Sequence, residues 1–317
     1  MSDIQSAFTQ KLKDLYNYTL KVWYIVRNKA LYSFARKQRF YNNLIIYYNA
    51  QKDVLEARRE TLLKIAASEV NNKRSTKKAC LIGINYSGTE SELKGCINDV
   101  HMLKDMLISK YNYNREDITL LTDQQATRQN ILKEFTSLVK NAVSGDTVFF
   151  SFSGHGSYVK DINYDEIDGE DELIVGVDYF GITDDELKNI LDTHLKANVN
   201  MFALFDSCHS GTILDLKYAF ENSINRVVNE NYKETKGNVI LLSGCRDNQV
   251  SIDAYINGSF NGALSWVFVD TVKNNPLMTW GELMKKIGEV LSLNGMTQIP
   301  QLSCGTNLDL INVNVNV

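Results

Sequence analysis

Apolar residues recur at helical spacing along residues 1–70 and then, from Ala79 onward, gather into short unbroken runs. Ile4, Phe8, Leu12 and Leu15 lie at i, i+4, i+8 and i+11, the spacing of one helix face. A second run, rich in Tyr and Phe, extends from Leu31 to Tyr48. A third, Val54 to Val70, sets Leu55, Leu62 and Ile65 among charges. These predict a helical segment. The stretch Asn71-Asn72-Lys73-Arg74-Ser75-Thr76-Lys77-Lys78 contains no apolar residue and predicts the boundary: a helical segment with its linker over 1–78, then one domain over 79–317.

Beyond that boundary, strands are predicted at 79–84, 118–121, 147–152, 173–177, 199–205 and 238–242. Helices are predicted near 93–109, 127–143, 184–196, 260–273 and 279–293. Continuous apolar strands separated by helices imply an α/β fold with a mostly parallel central sheet covered on both faces. In such sheets ligands bind beyond the carboxyl ends of the strands, which is where reactive side chains are sought.

Charge divides the chain unevenly. Residues 1–78 hold 16 Lys and Arg against 6 Asp and Glu, whereas the remainder holds 18 against 32. Such asymmetry suggests that the basic segment docks on the acidic remainder or on an anionic surface; two separately solvated surfaces are the plainer reading. The 5 cysteines form no even framework of close spacings, which fits free thiols in a reducing compartment. No apolar run reaches the length of a membrane span, and the N-terminus lacks a signal-peptide layout. A cytoplasmic protein without a transmembrane segment is expected, with no nucleic-acid partner.

Two strand ends carry the chemistry. One runs into Ser153-Gly154-His155-Gly156, the other into Asp206-Ser207-Cys208-His209-Ser210-Gly211. A thiol attacks as thiolate, and a neighbouring imidazole can take its proton, so a Cys/His pair makes a nucleophile. Alone, Cys208 reads as a small buried hydrophobe and His155 as a structural histidine. At two strand ends, within polar loops that hold glycine, they read as a pair.

These two boxes resemble the His and Cys boxes of the metacaspases, the caspase-like peptidases of plants, fungi and protists. The resemblance continues through Gly95-Cys96-Ile97-Asn98-Asp99, Asp184-Asp185-Glu186-Leu187 and Ser243-Gly244-Cys245-Arg246-Asp247-Asn248-Gln249, covering roughly 78–312 in family order. It implies the caspase-like three-layer sandwich, with Cys208 as nucleophile, His155 as general base and then acid, and an oxyanion held by the N–H groups of Gly156 and Cys208. It places the specificity pocket at Cys96, Asp99, Ser153 and Asp206, two carboxylates to receive Arg or Lys from protein or peptide substrates. A helix N-terminal residue and a turn residue are the bland readings of Asp99 and Asp206. The family also implies activation by Ca2+ at Asp171, Asp184, Asp185 and Asp215, oxygen ligands that suit that ion, and a monomer. By itself the acidic stretch from Asp161 to Asp171 reads as a solvated loop.

The N-terminal segment departs from the Pro/Gln-rich or zinc-finger prodomains of the family. It is expected either to lie across the catalytic face as an inhibitor or to bind elsewhere. Self-cleavage is expected in the basic stretches at Lys73, Arg74, Lys77 and Lys78, or at Lys217, Arg226, Lys233 and Lys236, on the premise that both are unprotected. Two other functions compete. One is a catalytically weak scaffold acting through its helices. The other is a flavodoxin-like nucleotide-binding domain, for which Ile84-Asn85-Tyr86-Ser87-Gly88 lacks the three-glycine phosphate loop.

Overall fold

The structure is a computed structural model that describes residues 2–28, 33–71, 76–161, 169–221, 225–244, 253–256, 259–275, 277–296, 298–309 and 312–317. The chain divides into two compact units, residues 1–73 with 275–277, and residues 74–274 with 278–317.

The first unit is built on two helices, α1 (Ser2–Arg27) and α2 (Phe34–Asn71). They run antiparallel. Tyr16 meets Tyr48 with ring centroids 6.5 Å apart, and Trp23 meets Tyr41 at 4.9 Å. The Arg59 guanidinium lies 5.3 Å over the Phe8 ring. The two helical runs expected over 31–48 and 54–70 are one helix. The polar residues between them include no Gly or Pro, so nothing interrupts the backbone hydrogen bonding.

The second unit centres on an eight-stranded sheet of order β2-β1-β3-β7-β10-β13-β8-β9. Its parallel part comprises β1 (Lys77–Gly83), β2 (Ile118–Thr122), β3 (Thr147–Ser153), β7 (Asn200–Asp206) and β10 (Asn238–Ser243). Helices α3 (Cys96–Tyr111), α6 (Ala263–Asn274) and α7 (Trp280–Leu293) cover one face. Helices α4 (Arg128–Asn141) and α5 (Asp184–His194) cover the other. Alternate strand residues supply the two cores. Ala79, Leu81 and Phe149 pack toward α3 and α6, whereas Cys80, Ile82, Phe150 and Phe152 pack toward α4 and α5. That double burial explains why these strands read as unbroken apolar runs. Among the described residues no helix is long and apolar enough to cross a membrane.

Three expectations change. The run at 173–177 does not join the central sheet. It lies mostly in β5 (Glu170–Val175), which pairs antiparallel with β4 (Gly156–Lys160) and β6 (Gly181–Thr183) in a small separate sheet. Apolarity signalled burial of this strand but not its partner. The polar insertion after Cys208 contains a hairpin, β8 (Tyr218–Glu221) and β9 (Asn225–Val228), which widens the main sheet through β13 (Gln301–Cys304). β1 also begins earlier than its apolar run, taking in Lys77 and Lys78.

The basic stretches expected to be unprotected therefore change character. Lys77, Lys78 and Arg226 lie on strands hydrogen-bonded to neighbours, where a protease cannot easily draw the backbone into its site. Lys233 and Lys236 lie between β9 and β10, outside either strand. Lys73 and Arg74 lie outside the described residues, as do 162–168 of the acidic stretch and Cys245 to Gln249. A last two-stranded element, β11 (Asp253–Ile256) with β12 (Ser259–Gly262), leads directly into α6.

Candidate active site

The register of β3 against β7 sets the site. These parallel neighbours pair residue by residue until Ser153 stands opposite Asp206. Both chains then leave the sheet, so His155 and Cys208 each lie two residues past the same paired level. The two exit loops touch. A Cβ placed on Gly156 would sit 1.9 Å from the Cys208 carbonyl oxygen. Only glycine permits that approach, and it brings the residue after His155 against the backbone of Cys208.

His155 is held on several sides. Its Nε2 lies 2.7 Å from the Ser91 carbonyl oxygen. Since that oxygen can only accept, Nε2 carries the proton in this contact, and Nδ1 is the nitrogen left to act as base in the neutral ring. The His155 N–H donates to the Tyr86 hydroxyl at 3.0 Å, and the two rings lie 4.6 Å apart at 38°.

Of the described cysteines, Cys80, Cys96 and Cys304 are buried, whereas Cys208 is partly exposed. Burial pushes the Cys80 and Cys304 thiols up to about 12, so neither supplies thiolate near neutrality. Cys208 alone among them is reachable from solvent. The next residue, His209, adopts a left-handed φ of 47° and meets the Tyr158 ring edge-on at 5.0 Å. Ser210 closes the turn by donating its hydroxyl to the Ser207 carbonyl at 2.9 Å.

Asp99 and Asp206 face one spot. A Cβ built on Gly262 would lie 2.6 Å from Asp99 Oδ2 and 2.3 Å from Asp206 Oδ2. Asp99, in the first turn of α3, accepts the Ser153 hydroxyl at 2.6 Å and the Gly262 N–H at 2.9 and 3.1 Å. Asp206 accepts the Ser265 N–H at 2.8 Å, in the first turn of α6. An amide there has no partner within its helix, so Asp206 acts as a cap from a distant strand and meets the positive end of the helix dipole. Cys96 starts α3 nearby, its carbonyl packed beneath Gly83. The four expected pocket residues are thus all buried, and two carboxylates are held there by hydroxyl and amide donors.

Asp184, Asp185 and Asp215 form a second acidic group, each offering an oxygen within 4.8 Å of the others. Asp184 opens α5 behind the Thr183 cap and accepts the Glu172 and Asp185 N–H groups, each at 2.7 Å. Asp215 takes a left-handed φ of 46°, and its N–H donates to the Thr212 carbonyl at 2.7 Å. Asp171, the fourth residue of the expected set, is buried on β5. The next residue, Glu172, meets Asp184 through its backbone N–H, and its carboxylate accepts the Thr212 hydroxyl.

Sequence reasoning missed Tyr86, Ser91, Gly262, Ser265 and Glu172. Ser91 and Ser265 act through backbone atoms, which leave no residue-type signal. Gly262 follows Asn257-Gly258, a pair typical of hairpin turns, and that cue could have located β12.

Comparison with known proteins agrees with this architecture. The family profile described as "Metacaspase, peptidase C14 domain" matches residues 77–217. The chain is 39% identical to Metacaspase-1 of Schizosaccharomyces pombe over 291 residues, spanning 74% of this chain and 68% of that protein. It is 36% identical to Metacaspase-1 of Ajellomyces capsulatus, spanning 77% of this chain and 85% of that one. The crystal structure of protein GSU0716 from Geobacter sulfurreducens superposes with a TM-score of 0.57 at 25% identity, covering 76% of this chain and 97% of that one. Alignment over most of both chains, on a caspase-like α/β sandwich, places this chain among the metacaspases, a family of cysteine peptidases.

Proposed function

We propose that this metacaspase is an endopeptidase that cuts after Arg or Lys with Cys208 as nucleophile and His155 as base, and that calcium stimulates it. The observation that supports the reading is the level register of β3 and β7, from which His155 and Cys208 each follow two residues past the paired Ser153 and Asp206. His155 takes the thiol proton, and the sulfur lone pair adds to the scissile carbonyl carbon. The carbonyl π pair moves to oxygen, where the N–H groups of Gly156 and Cys208 receive it. Removing one such donor typically costs about 3 kcal/mol of transition-state stabilisation. As the tetrahedral adduct collapses, His155 returns the proton to the departing amine. Water, deprotonated by His155, then hydrolyses the thioester.

Asp99 and Asp206 suit a guanidinium or ammonium, which would use carboxylate lone pairs beyond those that the amide donors occupy. An Asp side chain would meet like charge. Asp184, Asp185 and Asp215 offer hard oxygen donors of the kind calcium prefers, and mutual repulsion of three close carboxylates favours a cation among them. Backbone carbonyls and water would complete its shell. The ion would tie α5 to the loop after Cys208. As a regulatory element of the same reading, self-cleavage falls at Lys233 or Lys236 or in the 72–75 linker, and residues 1–74 restrain the enzyme until cut.

The test uses peptides carrying a fluorophore after Arg, Lys or Asp, with and without calcium, on wild type and Cys208→Ala. Cleavage after Arg and Lys only, dependent on Cys208, is expected. Cleavage after Asp, or an active Cys208→Ala protein, would overturn the reading.

A further inference from the structure

One backbone hydrogen bond beside His155 is replaced by a side chain. β4 and β5 are antiparallel with Gly156 opposite Ile174, so His155 and Val175 are the next opposed pair. In an antiparallel ladder, opposed residues exchange both N–H···O bonds or neither. Here the Val175 N–H donates directly to the His155 carbonyl at 3.0 Å. The reciprocal bond is interrupted by a phenol. The His155 N–H donates to the Tyr86 hydroxyl at 3.0 Å, and that hydroxyl donates to the Val175 carbonyl at 2.6 Å. Tyr86 is 1% exposed, and burial pushes its phenol well above the usual range, so the donor proton stays in place at neutral pH.

The loop that supplies the phenol also supplies the Ser91 carbonyl against His155 Nε2. One segment after β1 therefore grips the histidine at its backbone, its ring face and its far nitrogen. That segment is fixed by Asp123, at the end of β2. Asp123 Oδ1 accepts the Asn85 and Tyr86 N–H groups at 2.7 and 3.1 Å, and Oδ2 accepts the Ser87 hydroxyl at 2.9 Å. Tyr86 itself is held at a φ of 50°, in the left-handed region that a tyrosine seldom adopts. Its carbonyl accepts the Thr89 hydroxyl at 2.8 Å, and the Leu93 N–H donates to Asn85 at 2.7 Å.

We infer that Tyr86 is a positioning residue for His155, its hydroxyl wedged into the β4–β5 ladder, and that Asp123 is the lever that holds it there. Phenylalanine could fill the same space and stack on the imidazole, but it could not bridge the two backbones. The inference rests on the Cys208/His155 reading above. The hydroxyl orients the base and touches neither the substrate nor the reacting atoms.

The experiment measures Cys208 alkylation by iodoacetamide against pH, by mass spectrometry of the full chain, alongside turnover of an Arg-ended peptide. Tyr86→Phe should lower kcat by about tenfold or more, leave KM within about twofold, and slow alkylation at neutral pH while reaching the wild-type rate where any thiol ionises. Asp123→Asn, which keeps the phenol, should show the same loss in kcat at unchanged KM. Tyr113→Phe removes a buried hydroxyl that has no hydrogen-bond partner and should change neither readout. Combining Tyr86→Phe with His155→Ala should add nothing to the loss from His155→Ala alone. A wild-type alkylation profile in Tyr86→Phe, or a further loss in the double variant, would overturn the clamp while leaving the dyad standing. An ordinary thiol profile in wild type, identical in His155→Ala, would overturn the dyad and the clamp with it.

Discussion

The Gly262 amide donates to both carboxylate oxygens of Asp99, at 2.9 and 3.1 Å, so an acidic group expected to face a substrate is already met by the chain itself. A carboxylate has lone pairs beyond those this amide and the Ser153 hydroxyl use, so the same group could also meet a substrate cation. Asp99→Asn and Asp206→Asn should each lower kcat/KM for Arg peptides by about 2–5 kcal/mol, the usual effect of truncating one partner of a buried charge pair. Both should also lower the melting temperature, because each carboxylate accepts a structural N–H. Unchanged Arg preference in both variants would show that the carboxylates are structural only.

Gly262→Ala isolates access from charge. Its Cβ would press on Asp206 Oδ2 and Asp99 Oδ2 at 2.3 and 2.6 Å. We expect KM for Arg peptides to rise while iodoacetamide alkylation of Cys208 is unchanged. A slowed alkylation would mean that the substitution disturbs the site as a whole.

Cys208→Ala should abolish turnover with the far-ultraviolet circular dichroism intact. Cys96→Ala should retain substantial turnover, since Cys96 begins a helix and is buried. Equal loss from both would show the roles to be misassigned.

Calcium should raise both activity and melting temperature, by about 2.7 kcal/mol of stability at a hundred times its Kd. Magnesium should substitute poorly, because it demands a tighter octahedral shell. Asp185→Asn should weaken the calcium-dependent shift measured by calorimetry. Full activity in excess chelator, with no thermal shift on adding calcium, would remove the ion from the account.

Alkaline titration follows from the buried thiols. Burial raises Cys80 and Cys304 from 9.0 to about 12. A thiol whose folded value is raised stabilises the native state fully below its unfolded value and loses that contribution as pH climbs toward the folded one. Urea midpoints should therefore fall between pH 9 and 12, and less so in Cys80→Ala relative to its own value at neutral pH. A flat profile would contradict the depth of burial assigned to both.

Much of this site was legible because its residues announce themselves by type. His155 and Cys208 end apolar strands in polar, glycine-bearing loops, and a parallel sheet brings such ends together. The positions of β1, β2, β3, β7 and β10 were readable for the same reason, since strands buried on both faces have no polar alternation to blur them. The β8–β9 hairpin and β13 were not. They lie toward one side of the sheet, their sequences are short and mixed, and their pairing depends on residues far away. Tyr86 read as one more aromatic in a loop, because a hydroxyl wedged into a ladder depends on two backbones that sequence does not bring together.

The strand order has a consequence for a chain that is cut. β13, near the C-terminus, lies between β10 and β8. A break at Lys233 or Lys236 would leave β8 and β9 on one fragment and β10 and β13 on the other. Yet β10 pairs with β7 and β13 with β8, so the two pieces are laced together at two separate seams. A nick there would split the polypeptide on a denaturing gel but not in solution. The sheet would stay whole, and the cut ends would lie before β10, at the edge of the sheet opposite the strand ends that lead to His155 and Cys208.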